Sequence, residues 1–548
     1  MLRQCLLKNR LPCRFRYAPV GAPRWVNLRT FCGVNVATGS AVVWHPVFFS
    51  AGAAALPGIN SRPTPVHFVL DIPCRVLNRC GRSALWSTIL PGLPQAKATV
   101  PHPPTVPVSR TLLDIPKTAR RPLAAFDDYH AAHGDNFLFS MGGSRRTHVT
   151  IDADVFQHVM QRNHRNYEKS DIQTVHIARY FGYGLLTNGG QSWLTQRRVI
   201  QPGFHRKRLE HLTDAMLSVI RQQVTRLDGH VASGEPIDLH HFTRDAVFRI
   251  ITRAIFTDGF DAEATARLNH AIDRVQSFVI YPARVPALTK PLRWLGLEGK
   301  HLRLVQELRA DIQQRIDARR AGTPQDDLLQ MLLDVRYEDT GEPMTDEQLI
   351  DEIFILFAAG HETSANALAW TIWLLLRHPA ELARVQEEVA AVGPLGFDAV
   401  RRLPHLTRCI EESLRLYPPA WLVDRVALAD DAAGEVVIDR GTVLGLYISG
   451  LHRNPRYWDD PAAFRPDRMT PAAKKARHPY CYLPFGGGPR LCIGNHFAML
   501  EMQLFLATVL RDYALTLPAD AAAVTPKPLI TLHMDRPLLV RVARRANI

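Results

Sequence analysis

Residues Pro484–Gly494 read PFGGGPRLCIG, and the amphipathic stretch that follows, from Asn495 to about Tyr513, predicts a helix. Cys492 therefore lies at the N-terminal end of that helix. Free backbone N–H groups and the positive end of the helix dipole lower the pKa of a thiol there, which favours an anionic metal ligand. The glycines permit a tight turn against a flat cofactor, and Arg490 can pair with a carboxylate on it. A glycine loop around a structural cysteine is the alternative interpretation.

The longest predicted helix begins after Thr345, which forms a capping box with Gln348, and ends at Arg377, shortly before Pro379. At about 1.5 Å per residue this helix is roughly 50 Å long, enough to cross a large domain. Its centre, Ile353–Ala369, is apolar nearly all round, so we expect it to be buried.

Polar residues interrupt this apolar centre at AGHETS, residues 359–364. An unpaired buried polar group costs about 1 to 3 kcal/mol, so the interruption requires a reason. A helix kink with hydroxyls bonded back to the backbone is one interpretation, and a functional site is the other.

The rest of the chain from about Arg110 is also mostly helical by its periodicity. Short β-like stretches occur, such as Glu435–Ile438 and Thr442–Ile448, with turn residues between them. The pattern predicts a mainly α fold with a small β subdomain.

Charge and cysteine are distributed unevenly along the 548 residues. The first 100 residues hold 12 Lys and Arg against one acid, Asp71, so they carry +11 of the formal +14. The nearly balanced remainder lacks the basic, aromatic-studded surface of a nucleic-acid-binding protein, and we expect no such partner. It holds three cysteines, Cys409, Cys481 and Cys492, which offer no disulfide framework and predict a cytoplasmic protein.

The first hundred residues show no sustained helical or alternating pattern. Three accounts are open: an Arg-rich targeting segment over Met1–Arg29, a membrane anchor around Val34–Leu56, or upstream sequence included through a wrongly chosen start. We favour the account of a wrongly chosen start, and we expect no membrane anchor. Residues 1–100 are thus predicted to be a disordered or spurious extension, and residues 101–548 to form the folded domain.

The cysteine loop resembles that of the cytochrome P450 superfamily, whose pattern is F-x-x-G-x-R-x-C-x-G. Phe485, Gly488, Arg490, Cys492 and Gly494 fill its fixed positions. The resemblance implies a cytochrome P450 fold in which the long central helix lies over a buried heme b, with Cys492 as the axial ligand of the iron. A thiolate ligand favours O–O bond cleavage, so dioxygen is the implied co-substrate.

The polar interruption resembles the family's A/G-G-x-D/E-T motif. By that resemblance Ala359 and Gly360 make a groove for dioxygen, and Glu362 and Thr363 are an acid and alcohol pair that delivers protons. His361 fills the variable position and is expected to form a wall of the site.

Further matches carry structural and heme-binding roles by the same resemblance. One group is a buried network below the heme, and the other contacts heme propionates. The network consists of Glu412, Arg415 and Arg468, and the propionate contacts are Trp193, Arg197 and Arg425.

The implied reaction is insertion of one oxygen atom into a lipophilic small molecule by a protein expected to be monomeric. No dinucleotide fingerprint follows a strand, so electrons from NAD(P)H require a separate reductase with a ferredoxin or flavodoxin-type donor. An acidic ferredoxin suits two basic clusters. They are Lys474, Lys475 and Arg477, and Arg206–Arg208.

Two rival functions are open: a peroxygenase or isomerase on the same scaffold, and a non-catalytic heme-binding sensor. The Glu362 and Thr363 pair argues against the first, because a peroxide-driven enzyme has no need of that proton relay. The stretches expected to line the pocket, Ser170–Leu186 and Ala271–Trp294, are largely apolar and aromatic, which predicts a lipophilic ligand without identifying it.

Overall fold

The computed structural model describes residues 11–12, 31–32, 102–139, 146–257, 262–284 and 289–545. The chain divides into two units, Met1–Ala98 and Thr99–Ile548. In the first unit, strands β1 (Leu11–Pro12) and β2 (Phe31–Cys32) pair antiparallel. The proposed targeting segment and anchor lie otherwise outside the described residues. Within the described ranges, no helix combines the length and apolar character needed to span a membrane.

Helices make up most of the second unit, as the periodicity predicts. The α-helices are α1 (Val108–Leu113), α2 (Ile115–Arg120), α3 (Pro122–His133), α4 (Ala153–Gln157), α5 (Ala178–Phe181), α6 (Gly190–Ile200), α7 (Arg206–Val224), α8 (Leu227–Ser233), α9 (Leu239–Ile255), α10 (Ala262–Arg284), α11 (Thr289–Trp294), α12 (Leu297–Ala321), α13 (Leu328–Asp334), α14 (Asp346–Arg377), α15 (Pro379–Ala391), α16 (Pro404–Leu416), α17 (Ile448–Leu451), α18 (Pro471–Ala476) and α19 (Asn495–Asp512).

The β portion consists of short strands in small sheets. The strands are β3 (Asn136–Phe139), β4 (Thr147–Thr150), β5 (Tyr167–Glu168), β6 (Ile237–Asp238), β7 (Val423–Ala427), β8 (Asp431–Ala433), β9 (Val436–Ile438), β10 (Val443–Leu446), β11 (Tyr513–Thr516), β12 (Pro526–Pro528), β13 (Leu532–Met534) and β14 (Leu539–Arg544). The largest sheet has the order β3-β4-β10-β7-β5, in which β10 is parallel to β4 and antiparallel to β7. The mainly α fold with a small β subdomain is confirmed.

Helix α14 is the long central helix that the sequence predicts. The Thr345 hydroxyl accepts a hydrogen bond from Gln348 N at 3.2 Å, which caps the N-terminus, and the helix ends at Arg377. Its apolar sides are buried against α9, α16 and α19. Trp370 on α14 is fully buried and stacks on Tyr417, with ring centroids 3.9 Å apart. Burial on all sides explains why the helix lacks a polar face.

The cysteine loop joins this helical core to the β subdomain. Leu483 belongs to the core around the five-stranded sheet, whereas the half-buried Phe485 packs on the helical core. Helix α19 begins at Asn495, as the amphipathic pattern predicts, and it packs against α14. The fold therefore holds Cys492 at the start of a helix that contacts the central one.

Candidate active site

A tight turn shapes the loop before Cys492. Gly486 and Gly488 have φ angles of +73° and +64°, which L-amino acids with a side chain rarely adopt. A Cβ on Gly488 would lie 1.8 Å from the carbonyl oxygen of Met160, so glycine is required there for space as well. Cys492 N donates to the Phe485 carbonyl at 2.9 Å and closes the loop.

Cys492 is exposed as a residue, although protein atoms surround much of its thiol. Burial raises the pKa of the Cys492 thiol, while a backbone hydrogen bond from Gly494 and the positive charge of Arg197 oppose the rise. Desolvation thus outweighs the backbone N–H groups when no metal is bound, and the expected thiolate ligand stays a prediction. A positively charged iron would supply the missing stabilisation of the thiolate.

Three of the predicted heme-binding side chains lie close to one another. The Arg490 guanidinium is 4.4 Å from the centre of the Trp193 ring, and its Nη2 donates to Glu168 Oε2 at 2.7 Å. Its Nη1 is buried and has no hydrogen-bond partner among the described residues. Arg197, one turn after Trp193 on α6, donates to the Leu491 carbonyl at 2.7 Å, directly beside the cysteine.

Buried positive charge exceeds buried negative charge around Arg490. Burial, with repulsion from Arg490, lowers the pKa of Arg425 to about 10. Burial and the same two guanidiniums lower the pKa of Lys169 to about 7. The sequence interpretation missed Lys169, whose Nζ donates to the carbonyls of Leu185 and Asn188, both at 2.7 Å. Nothing in its local sequence marked it.

These observations allow a test of whether the chain suits heme. A porphyrin carries two carboxylates, and anions placed between the Lys169, Arg425 and Arg490 side chains would relieve their mutual repulsion and pair Arg490 Nη1. The exposed Cys492 lies next to Arg197. The donor set therefore fits heme.

The middle of α14 is open where the sequence shows its polar interruption. Ala359 is exposed and Gly360 and Thr363 are half-buried, whereas the helix on either side is buried. The Thr363 hydroxyl donates to the Ala359 carbonyl at 2.7 Å. A Cβ on Gly360 would lie 2.9 Å from Ile251 Cδ1, so this glycine also permits close packing of α9 on α14.

Glu362 is buried on a different side of α14 from the Thr363 hydroxyl. Its carboxylate accepts a hydrogen bond from Thr531 at 2.7 Å and lies 2.7 Å from Nε2 of His533. Burial alone would raise the pKa of Glu362, but the charge of the nearby His533 outweighs it, together with Thr531 and Arg244, and holds this pKa at about 2. The structure thus places Glu362 and Thr363 with separate partners. His361 also faces away, toward the carbonyl of Arg244, at 3.1 Å.

The structure brings Glu412, Arg415 and Arg468 together. Arg415 binds both oxygens of Glu412, at 2.8 and 2.9 Å, and neither side chain is exposed. Arg468 Nε lies 3.1 Å from the same carboxylate. Arg415 also donates to the carbonyls of His452, Pro461 and Ala463, at 2.9, 2.8 and 3.0 Å. This network fastens α16 to the chain that leads into the cysteine loop.

The two stretches expected to line the pocket meet in the structure. Tyr180 and Phe278 contact edge to face, with centroids 5.9 Å apart. Gln276 donates to the Ala358 carbonyl at 3.0 Å, which brings α10 next to the open middle of α14. Part of the second stretch, residues 285–288, lies outside the described residues.

Several side chains of the proposed docking clusters already have partners. Lys474 contacts Glu411, Arg206 lies 3.7 Å from Asp398, and Arg208 contacts Asp326. The guanidinium carbon of Arg477 lies over the Trp458 ring, 4.3 Å from the ring centre. Lys475 and Lys207 are exposed.

A second group of possible metal ligands joins α15 to α16. His405 Nε2 lies 2.9 Å from Glu381 Oε2 and 3.7 Å from Cys409 Sγ. Arg384 donates to Glu381, and Arg408 donates to His405 Nδ1. Two guanidiniums repel a cation, so we interpret this group as a hydrogen-bonded ion-pair cluster.

Comparison with known proteins agrees with this geometry. The family model for cytochrome P450 matches residues 100–539. Pentalenene oxygenase of Streptomyces avermitilis is 31% identical over 435 residues, which cover 78% of this chain and 94% of that protein. Cyclooctatin synthase of Streptomyces melanosporofaciens is 30% identical over 421 residues, which cover 76% of this chain and 90% of that protein. A cytochrome P450DA heme domain superposes with a TM-score of 0.73 at 24% identity over 82% of this chain and 98% of that one. The chain belongs to the cytochrome P450 family and is a P450 monooxygenase that uses heme and dioxygen.

Proposed function

We propose that this enzyme hydroxylates or epoxidises a lipophilic small molecule, with Cys492 as the thiolate ligand of the heme iron. The observation that carries the proposal is the exposed Cys492 just before α19, beside Arg197 and the group formed by Lys169, Arg425 and Arg490. When bound, the heme supplies the iron at which dioxygen is activated, and a thiolate ligand favours O–O cleavage.

The cations around Arg490 hold the heme propionates in this proposal. Arg425 is buried and Arg490 and Lys169 are half-buried, and burial, with their mutual repulsion, lowers the pKa values of Arg425 and Lys169. A carboxylate bound among them removes that cost, since a charge-assisted hydrogen bond is about twice as strong as a neutral one. Trp193 fixes Arg490 by stacking, and Arg197 holds the backbone next to the sulfur. Phe485, Gly488 and Gly494 shape the loop.

In this proposal, dioxygen binds and protons are delivered at the open middle of α14. We assign the dioxygen groove to Ala359 and Gly360 by the family resemblance; Ala359 is exposed, and Gly360 is half-buried beside Ile251. The Thr363 hydroxyl holds a proton at Oγ1 at this place, and Glu362 supplies protons to it. The Glu412, Arg415 and Arg468 network has a structural role in this scheme, since it braces the chain before the cysteine loop.

The substrate lies, in this proposal, between α14 and the two apolar stretches that meet at Tyr180 and Phe278. Pentalenene oxygenase is named for a reaction on pentalenene, and a lipophilic substrate for the present enzyme is consistent with that relative.

Electrons come from NAD(P)H through a separate reductase and a ferredoxin or flavodoxin-type donor. Lys475 and Lys207 are exposed and available to an acidic donor, whereas Lys474 and Arg208 already contact acids. We further propose that the enzyme works as a cytoplasmic monomer.

The decisive experiment is the absorption spectrum of the reduced protein with carbon monoxide. We expect the red-shifted band of thiolate-bound heme in the wild type and its loss in Cys492→Ala. Cys481→Ala is the matched control, because Cys481 is a buried free cysteine on the same approach to the loop. A wild type without the band, or a Cys492→Ala variant that keeps it, would overturn the proposal.

A further inference from the structure

Two neighbouring side chains on α14 have their functional groups bound to different parts of the protein. The Thr363 hydroxyl donates within the helix to Ala359, whereas the Glu362 carboxylate is bound by Thr531 and His533 near the C-terminus of the chain. A proton that Glu362 supplies to Thr363 must therefore first reach Glu362 from the side of the helix that faces β13.

One oxygen of Glu362 receives a chain of hydrogen bonds with a fixed direction. Asn366 Oδ1 has no proton to give, so His240 Nε2 donates to it across 2.7 Å. Asn366 Nδ2 donates to Thr531 Oγ1 at 3.0 Å, and the Thr531 hydroxyl donates to Glu362 Oε2 at 2.7 Å. All three bonds point toward the carboxylate. The chain stabilises the negative charge, but its amide does not pass protons on, so Glu362 needs another proton source.

His533 lies beside the other oxygen of the Glu362 carboxylate. Its Nε2 lies 2.7 Å from Glu362 Oε1, and 11% of its side chain remains exposed. An imidazole in this position touches both the carboxylate and solvent, and imidazole is the side chain best suited to taking up and releasing protons near neutral pH. The ring of His240 packs edge to face against it at 5.8 Å.

The other charged or titratable groups around Glu362 do not compete for this role. Burial lowers the pKa of His361 to about 3 and that of His240 to about 4, so both are neutral near pH 7. Arg244 on α9 adds positive charge near Glu362 and contacts Asp273 on α10. A guanidinium does not release its proton, and Asp273, whose pKa desolvation raises, is bound to Arg244 and not to Glu362.

We propose that His533 holds the proton that Glu362 passes toward Thr363, and that it acts as a positioning residue for proton delivery. One proton moves from His533 Nε2 to Glu362 Oε1: the N–H bond breaks, an O–H bond forms, the imidazolium becomes neutral imidazole and the carboxylate becomes a carboxylic acid. The carboxylic acid then releases its proton on the Thr363 side, which restores the carboxylate, and a hydronium ion from solvent reprotonates the imidazole and leaves water. This inference rests on the proposed function of Glu362 and Thr363.

The test compares His533→Gln with His533→Arg in the heme-loaded enzyme. Glutamine at position 533 keeps a hydrogen-bond donor but carries no charge. Burial of Glu362 is then less well compensated, so we expect its pKa to rise above that in the wild type. Infrared spectroscopy should detect the protonated carboxylic acid in His533→Gln and not in His533→Gln/Glu362→Gln. Arg keeps the charge without a releasable proton, so His533→Arg should lack the carboxylic acid signal that is assigned to Glu362. Both single variants should consume dioxygen roughly 100-fold more slowly at the proton-dependent step and release more hydrogen peroxide.

A merely structural role for His533 predicts a different result. His533→Arg would then restore the wild-type rate, and this outcome would overturn the proposal, as would wild-type rates in His533→Gln. The matched control is His230→Gln, a histidine on α8 whose Nδ1 lies 3.2 Å from the Glu235 carbonyl, and we expect its rate and pH profile to be unchanged.

One measurement needs no variant that could fail to fold. Nuclear magnetic resonance of the wild type with labelled histidine should show His533 protonated on both nitrogens near neutral pH, and a neutral His533 there contradicts the proposal. The carbon monoxide spectrum of each variant keeps the two proposals apart. Absence of the thiolate band in the wild type refutes the proposed function. Wild-type kinetics in His533→Gln, with the band present, refute only the role of His533.

Discussion

Two buried glutamates, Glu412 below the cysteine loop and Glu362 on α14, have different kinds of partner. Glu412 is 0% and Glu362 is 5% exposed, so both carboxylates need compensation for lost hydration. Guanidiniums of Arg415 and Arg468 hold Glu412, whereas the imidazole of His533 and the hydroxyl of Thr531 hold Glu362. A guanidinium keeps its proton at any physiological pH, and an imidazole exchanges it. The first arrangement is a fixed ion pair, whereas the second joins the carboxylate to a side chain of the class that exchanges protons.

The largest effect on stability is expected from removing the buried ion pair between Glu412 and Arg415. Arg415→Leu leaves the Glu412 charge buried without its bidentate partner, which costs about 3 to 5 kcal/mol of the free energy of unfolding. Urea denaturation measures it, and heme content should fall with it. Glu412→Leu/Arg415→Leu is the matched control and should be less destabilised, because no buried charge is left alone. A single variant as stable as the double would contradict this account.

The pH dependence of stability should reveal the Glu362 ion pair. Folding lowers the pKa of Glu362 from 4.5 to about 2, so its contribution is complete above pH 4.5 and is lost as the pH falls toward 2. We expect the wild type to lose roughly 3 kcal/mol relative to Glu362→Gln over that interval. Denaturation of both proteins across the acid range measures the difference. A difference that stays constant with pH would show that Glu362 has no depressed pKa.

Thr531→Val tests the directed hydrogen bonds to the second oxygen of Glu362. The substitution keeps the shape of the side chain and removes a donor to a charged group, so we expect a loss of about 2 kcal/mol in thermal or urea denaturation. The control is Thr371→Val on α14, where the hydroxyl donates only to the Ala367 carbonyl, at 2.7 Å. Equal losses in the two variants would indicate that the charge of Glu362 is irrelevant at this position.

The smallest effect is expected at the outer partner of Glu412. Arg468 is 11% exposed and solvent screens its ion pair, so Arg468→Gln should cost about 1 kcal/mol in the same denaturation assay. Arg465→Gln serves as the control, because its exposed side chain contacts Asp460 rather than Glu412. A loss as large as that of Arg415→Leu would mean that Arg468 is the main partner.

Local patterns predicted much of this structure. The capping box at Thr345 and the stop after Arg377 gave the bounds of α14, because both signals depend on residues within one turn of the helix end. The amphipathic stretch after Cys492 became α19 for the same reason. Glu412 and Arg415 could be paired because their i, i+3 spacing matches the family's E-x-x-R motif; the spacing alone says little.

The partners of the two functional regions could not be predicted in this way. Thr531 lies 169 residues from Glu362, and Glu168 lies 322 residues from Arg490. A buried acid in an apolar helix indicates that some compensating group exists, yet helical periodicity does not say which one. Lys169 and His533 carried no local signal at all.

Local signals in the chain predict the helical framework, the position of Cys492 at a helix start, and an acid and a hydroxyl in the middle of α14. Those features depend on periodicity and capping, which operate over a few residues. The folded arrangement was needed to show that Glu362 and Thr363 have separate partners, that His533 faces the first, and that Lys169 joins Arg425 and Arg490. Side chains from distant parts of the chain meet only after the helices pack, and their charges and protons respond to that common environment.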